Sequence, residues 1–257
     1  MNYSSLENFK GAAGYEIDGI WYPRVTKIVE IKSKPALYRY YAEAPDFKTA
    51  NAQTKKSAEE GTLIHEIAEK ILLGESLGEL GTSQEAQSVM PAITAFKQFL
   101  DEKNIQVDPE FVEKRVVHFD HRYAGTIDSL ALIDGKFGVM DIKTSQAIYR
   151  DYNLQTSAYM GALEDQVKNL STRWILRIDQ IRTCPRCGAT SRLKGGRHKI
   201  KNPSLPCPDN SHEWGEVMGV VELKEIPLWK EDFEAFLGAK KLWEWENEYW
   251  LKQAGYL

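Results

Sequence analysis

Asp128, Asp141 and Lys143 are the residues of this chain whose types and spacing could do chemistry. They lie on two segments, GTIDSLALI (125–133) and KFGVMDIK (136–143), separated by Asp134-Gly135. Asp-Gly between apolar runs signals a two-residue β-hairpin turn. With that turn Ile133 faces Lys136, Leu130 faces Val139, Asp128 faces Asp141 and Thr126 faces Lys143. Side chains alternate across a strand, so Asp128, Asp141 and Lys143 point to one face. Two directly opposed carboxylates repel each other, and beside apolar strand residues their charge is costly to bury. A divalent cation between them removes that penalty, and carboxylate oxygens suit Mg²⁺ and Mn²⁺. The backbone carbonyl of Ile142 is a further candidate ligand. Lys143 could orient or help deprotonate a water held there and stabilise developing negative charge.

A second constellation is Cys184-Pro-Arg-Cys187, followed by Cys207 and His212. C-x₂-C, a spacer and C-x₄-H read as a tetrahedral Cys₃His zinc site, with His198 and Asp209 as alternative fourth ligands. Four protein ligands leave no open position for water, so this metal is read as structural. The stretch 182–213 is therefore expected to be a zinc-ribbon-like insert at the tip of a hairpin. It carries Arg192, Lys194, Arg197, Lys199 and Lys201 with no acid among them. That run reads either as a phosphate clamp or as a solvated loop.

The elements that must position these residues follow from periodicity. Residues 15–31 read as extended structure with a turn at Asp18-Gly19. Residues 54–73 read as a helix with an apolar stripe through Leu63, Ile64, Ile67, Ala68, Ile71 and Leu72. A second helix spans 83–103, with Pro91 kinking it or marking its true start. Residues 111–119 read as a strand, with Glu113 an additional candidate acid. Residues 150–166 read as a helix, 172–181 and 216–226 as strands, and 228–251 as a Trp-rich amphipathic helix. That last helix either packs over the sheet or offers its aromatic rings to bases or a partner. The fold class is α/β (α+β), a mixed central sheet flanked by helices.

Taken together, Gly61-Thr-Leu-Ile-His65, Gly125-Thr-Ile-Asp128, Asp141-Ile-Lys143 and Gln155-Thr-Ser-Ala-Tyr159 resemble, in order, the motifs of the PD-(D/E)xK nuclease superfamily, in its RecB-like exonuclease branch. The resemblance covers about residues 55–165. It implies a restriction-endonuclease-like sheet, formed here by 1–181 and 214–257. It implies His65 as a metal ligand beside Asp128 and Asp141, Lys143 as the catalytic lysine, and Gln155 and Tyr159 lining the site and contacting DNA. The activity it implies is a Mg²⁺- or Mn²⁺-dependent DNA exonuclease of recombination, repair or phage DNA processing. No Cys precedes residue 184, so the iron–sulfur cluster of some relatives is not expected, and no Walker A motif marks a helicase motor. The contrasting expectations are a non-catalytic zinc-ribbon protein that binds nucleic acid on a nuclease-like scaffold, and a structure-specific endonuclease.

Bulk composition bounds these readings. The 257 residues suit one sizeable domain or two small ones. No apolar run approaches the roughly 20 residues of a membrane span, and the N-terminus lacks a secretory pattern. A cytoplasmic protein is expected, with DNA as partner, no membrane contact, and a homo-oligomer or a recombination protein as further partners. Three cysteines argue against a disulfide framework. The net charge of −4 counts against nucleic-acid binding unless the basic residues are clustered.

Overall fold

In the computed structural model, which describes residues 3–192 and 199–257, the Asp134-Gly135 turn forms as expected. Both residues have positive φ (50° and 75°), the conformation a tight hairpin turn demands and that glycine adopts without strain. It joins β6 (Ser129–Ile133) to β7 (Lys136–Lys143), whose pairing runs from Ile133↔Lys136 to Ser129↔Met140. Chain order upstream is α1 (Leu6–Ala13), β1 (Gly14–Ile17), β2 (Ile20–Pro23), α2 (Val25–Val29), α3 (Pro35–Glu43), α4 (Phe47–Leu72), α5 (Gln84–Glu102), β3 (Gln106–Val107), β4 (Lys114–His118) and β5 (Tyr123–Ile127). Downstream come α6 (Asp151–Leu163), β8 (Leu170–Thr183), β9 (Thr190–Arg192), β10 (Lys199–Lys201), β11 (Val217–Glu225), α7 (Lys230–Glu246) and α8 (Glu248–Gln253).

β3, β6, β7, β8 and β11 lie side by side in a mixed sheet. β7 and β8 are parallel, and their neighbours pair antiparallel. The parallel pair requires a crossover, which α6 supplies. Alternation along the strands sends Leu130 and Val139 to one face, packed with α1, α2, α6, α7 and α8. Ala131, Met140, Ile142, Trp174 and Leu176 go to the other face, under α4 and α5. The result is a mixed α/β architecture with helices on both sides of the sheet.

Several elements differ from expectation for identifiable reasons. Residues 125–133 are not one strand. The chain bends at Asp128, so β5 pairs with β4 in a separate two-stranded sheet while β6 continues in the main one. Thr126 therefore pairs with Arg115 and not with Lys143. Residues 25–29 form a short helix despite their β-branched composition, because Val25 and Ile28, three apart, both fill the core. The C-terminal helix breaks at Asn247, whose side chain donates to the Trp243 carbonyl. α5 begins at Gln84 behind the Ser83 cap and runs through Pro91. α1 and α3 had no expected counterpart, and α3 buries none of its residues.

The expected insert emerges between β8 and β11, where the Gly215 N–H bonds the Thr183 carbonyl at 3.1 Å. Its strands are not detached from the sheet. β9 pairs with the last residues of β8, Arg182↔Ser191 and Thr183↔Thr190, and β10 pairs with β9. No helix among the described residues is long and apolar enough to cross a membrane.

Candidate functional site

The bend at Asp128 decides the geometry. It lets the acid at the end of one sheet reach back to the strand opposite, and Asp128 Oδ2 accepts a 2.5 Å hydrogen bond from the Ile142 N–H, the peptide next to Asp141. Asp141 is fully buried. Its Oδ1 accepts from Gln155 Nε2 at 3.2 Å, and Lys143 Nζ stands 2.5 Å from its Oδ2. Gln155 Nε2 also donates to Tyr159 Oη at 2.9 Å, so the two α6 residues, one turn apart, act as a unit. Tyr159 is buried against Gly125 and does not lie open to a DNA strand, which corrects the expected contact. A Cβ at Gly125 would come within 2.5 Å of the Tyr159 ring, which is the physical reason for glycine there.

Burial raises the Asp128 carboxyl above its ordinary value against the pull of Lys143 and the Ile142 N–H. Burial, opposed by Lys143 and His65 and aided by Asp128, likewise lifts Asp141 to about 6. Burial opposes the Lys143 charge, but the two carboxylates outweigh it and hold the ammonium above its normal range. Such a cluster, one cation shared by two desolvated acids, is electrostatically unfinished and suits one further positive charge.

Sequence reasoning left the surrounding acids undecided. The Glu113 N–H bonds the Asp128 carbonyl at 3.1 Å. Its carboxyl is pushed up to about 7 by burial and by Asp128, Glu69 and Asp141. Glu69 was missed altogether. The available signal was its position one turn beyond His65 on α4, in line with Gly61.

His65 lines a groove of about 820 Å³ together with Lys143 and Tyr152. Lys34, Arg192 and Lys199 also face it, and no Asp or Glu lines it among the described residues. In a chain of net charge −4 this is a local concentration of positive charge.

The insert builds one wall of that groove. β7 and β9 lie along the same strand, β8, with Lys143 opposite Arg177 and Ser191 opposite Arg182. β9 is thus set just past the end of β7. Arg192 spans the gap. Its Nε meets both oxygens of the buried Asp179 at 2.8 and 2.6 Å, and its Nη2 donates to the Thr144 carbonyl at 3.0 Å. Arg177 joins the same Asp179 at 3.1 Å. Of the expected clamp residues, Arg192 is therefore committed to holding the loop after Lys143. Lys199 donates to Gln146, Lys201 is exposed, and Lys194 and Arg197 lie outside the described residues.

Among the described residues, Cys184, Cys187, Cys207 and His212 form the group whose ligand atoms all lie within 4.8 Å of one another. Cys184 and Cys207 sulfurs are 3.8 Å apart, and Cys187 Sγ is 3.4 Å from His212 Nδ1. A tetrahedron with zinc–sulfur bonds of about 2.3 Å and zinc–nitrogen bonds of about 2.0 Å has edges of about 3.8 and 3.5 Å. This cluster could bind a metal such as zinc. His212 rather than Asp209 supplies the fourth side chain, and His198 lies outside the described residues. Burial pushes the Cys184 thiol up, but the N–H groups of Cys187 and Arg186 and the His212 ring bring it down to about 6. His65, Asp128 and Asp141 do not close to the same spacing. The Lys143 ammonium offsets one of the two carboxylate charges, and the Ile142 N–H donates to Asp128.

No protein-family model and no curated protein matches the chain. Among solved structures, the crystal structure of SSO0001 overlaps 87% of this chain and 75% of its own, at 11% identity and a TM-score of 0.34. That likeness is too low to bear on fold or function.

Proposed function

We propose that this protein is a metal-dependent DNA nuclease that hydrolyses phosphodiester bonds and acts as an exonuclease. One observation carries the reading. The buried Asp141 on β7 and Asp128 at the bend before β6, linked through the Ile142 N–H, share the charge of Lys143 beside a groove whose described lining residues include cations and no acid, in a protein that is acidic overall. The donor set fits Mg²⁺ or Mn²⁺, since carboxylate oxygens and an imidazole are ligands these ions accept, and a divalent charge relieves the crowding that raises both aspartates. Asp128 and Asp141 would hold the ion, with His65 as a further ligand. When bound, the ion supplies Lewis-acid stabilisation of phosphate charge and lowers the pKa of a water.

The protein's own residues do the rest. The Ile142 N–H fixes Asp128, and Gln155, itself held by Tyr159, fixes Asp141. Lys143, half-paired with Asp141, can turn its remaining protons to a phosphate oxygen or an attacking water. Lys34 and Lys199 offer charge to the flanking phosphates. The Cys₃His cluster holds zinc in a structural role and keeps the insert folded against the groove.

End-labelled linear DNA with Mg²⁺ or Mn²⁺ tests the reading. The protein shortens the strand, and Asp141→Ala and Lys143→Ala each lower the rate by about 10²-fold or more. Covalently closed circles stay intact, whereas nicking of circles would make the enzyme an endonuclease. Binding without any cutting by the parent protein would overturn catalysis and leave a nucleic-acid-binding scaffold.

A further inference from the structure

A second groove, of about 600 Å³, adjoins the first. Lys34 and Tyr152 line both grooves. Lys143 lines the first, and Gln155, the hydrogen-bond partner of Asp141, lines the second. Asp141 is thus held by one residue from each groove, and Lys34, the N-cap of α3, stands where the two grooves adjoin. Cations continue through the second channel in Lys34 and Arg150. Its two acids are already neutralised, Glu30 by Lys27 at 2.8 Å and Asp151 by Lys32.

Aromatic rings follow the same path. Tyr40 lines the first groove, Tyr152 the junction and Tyr149 the second. Lys143 Nζ lies 5.2 Å from the Tyr152 ring centroid. Tyr149 stands edge-on to Tyr152 at 5.8 Å, is 40% exposed, and has its hydroxyl tethered by Gln146 at 2.7 Å. A duplex turns its bases inward and offers this path only backbone. Ring faces interleaved with lysines are useful to unpaired bases, whose phosphates meet the cations while the bases stack.

We propose that the two joined grooves form a binding path for single-stranded DNA, with Tyr149 as the stacking platform next to the scissile position. The proposal rests on the nuclease reading for the word scissile, but the binding path stands or falls separately.

Fluorescence anisotropy with labelled oligo-dT and a blunt duplex of the same length, without added Mg²⁺ or Mn²⁺ so that nothing is cut and without a chelator so that the Cys₃His cluster keeps its metal, reads it directly. Oligo-dT binds more tightly than the duplex. Tyr149→Ala weakens oligo-dT binding by about 5- to 30-fold, while Tyr149→Phe, which keeps the ring, stays within about 3-fold of the parent. Lys34→Ala lowers the salt dependence by about one phosphate contact. Equal affinity for duplex and oligo-dT, an unchanged affinity in Tyr149→Ala, or equal competition by polyglutamate would overturn the path. Aromatic-dependent binding by a protein that never cuts would retain the path and remove the nuclease reading alone.

Discussion

At the scale of single residues, the site is held in tension by charge. Glu113 sits with its carboxyl raised to about 7, well above the value near 4.5 it has when unfolded, through burial and the neighbouring Asp128, Glu69 and Asp141. Its folded pKa lies above the unfolded one, so the folded state binds the extra proton between those values. The metal-free protein should therefore lose stability as pH rises from about 5 to 7, which thermal unfolding across that range will show. Glu113→Gln should flatten the dependence, and added Mn²⁺ should restore stability at the high end. A profile indifferent to both would mean the acids do not communicate. Gly125 makes a steric prediction at the same scale. Gly125→Ala puts a methyl group into the Tyr159 ring and should cost about 1–3 kcal/mol in chemical unfolding. It should also displace Gln155 from Asp141, lowering cleavage more than the stability loss explains.

At the scale of elements, the insert and the loop after β7 are one mechanical unit, joined through Arg192, Asp179 and the Thr144 carbonyl. Cys207→Ser should lower the metal that the cluster takes up, measured as zinc per chain after reconstitution, and raise deuterium uptake in the 144–148 backbone. Arg192→Ala should raise that uptake with metal uptake unchanged, which separates the tie from the metal. Protection unchanged in both variants would detach the insert from the site. Much of this level was legible beforehand. The Asp134-Gly135 turn set the register from Ile133↔Lys136 to Ser129↔Met140, because the turn is local chemistry; the ladder stops one pair short of Asp128 and Asp141, and Asp128 instead reaches the Ile142 N–H from the bend. The spacing of Cys184, Cys187, Cys207 and His212 likewise located a cluster that the structure assembles. The bend at Asp128 was not legible. Apolar alternation runs unbroken through GTIDSLALI, and only pairing with β4, a distant segment, decides that the strand changes sheets. α3 escaped because a helix that buries nothing leaves no apolar stripe to read. The tie made by Arg192 was hidden because Asp179 looks like any strand carboxylate until the fold buries it between two arginines.

At the scale of the whole molecule, one side chain pins the helical layer to the sheet. Arg173, on β8 and fully buried, donates to the carbonyls of Asn153, Ile226 and Leu228 and pairs with Asp232 of α7. It thereby joins the central sheet, the helix that carries Gln155, and the C-terminal helices. Asp232→Ala leaves that guanidinium short of its counter-charge and should cost about 3 kcal/mol in chemical unfolding. A neutral result would place the anchorage in the aromatic core around Phe9, Phe233 and Trp243 instead. No composition statistic pointed to this arginine, since a single charge inside a strand pattern looks like solvent exposure. The overall acidity similarly says little about local charge, because the sum over the chain conceals the cation-lined groove. The closure of β8 on β11 at Thr183 and Gly215 has a further consequence for the whole molecule. The described residues between those two points are also laced to the sheet through β9 and Arg192, so the segment works as a rein: a change in its length or charge pulls on the loop after Lys143 instead of being absorbed at the surface.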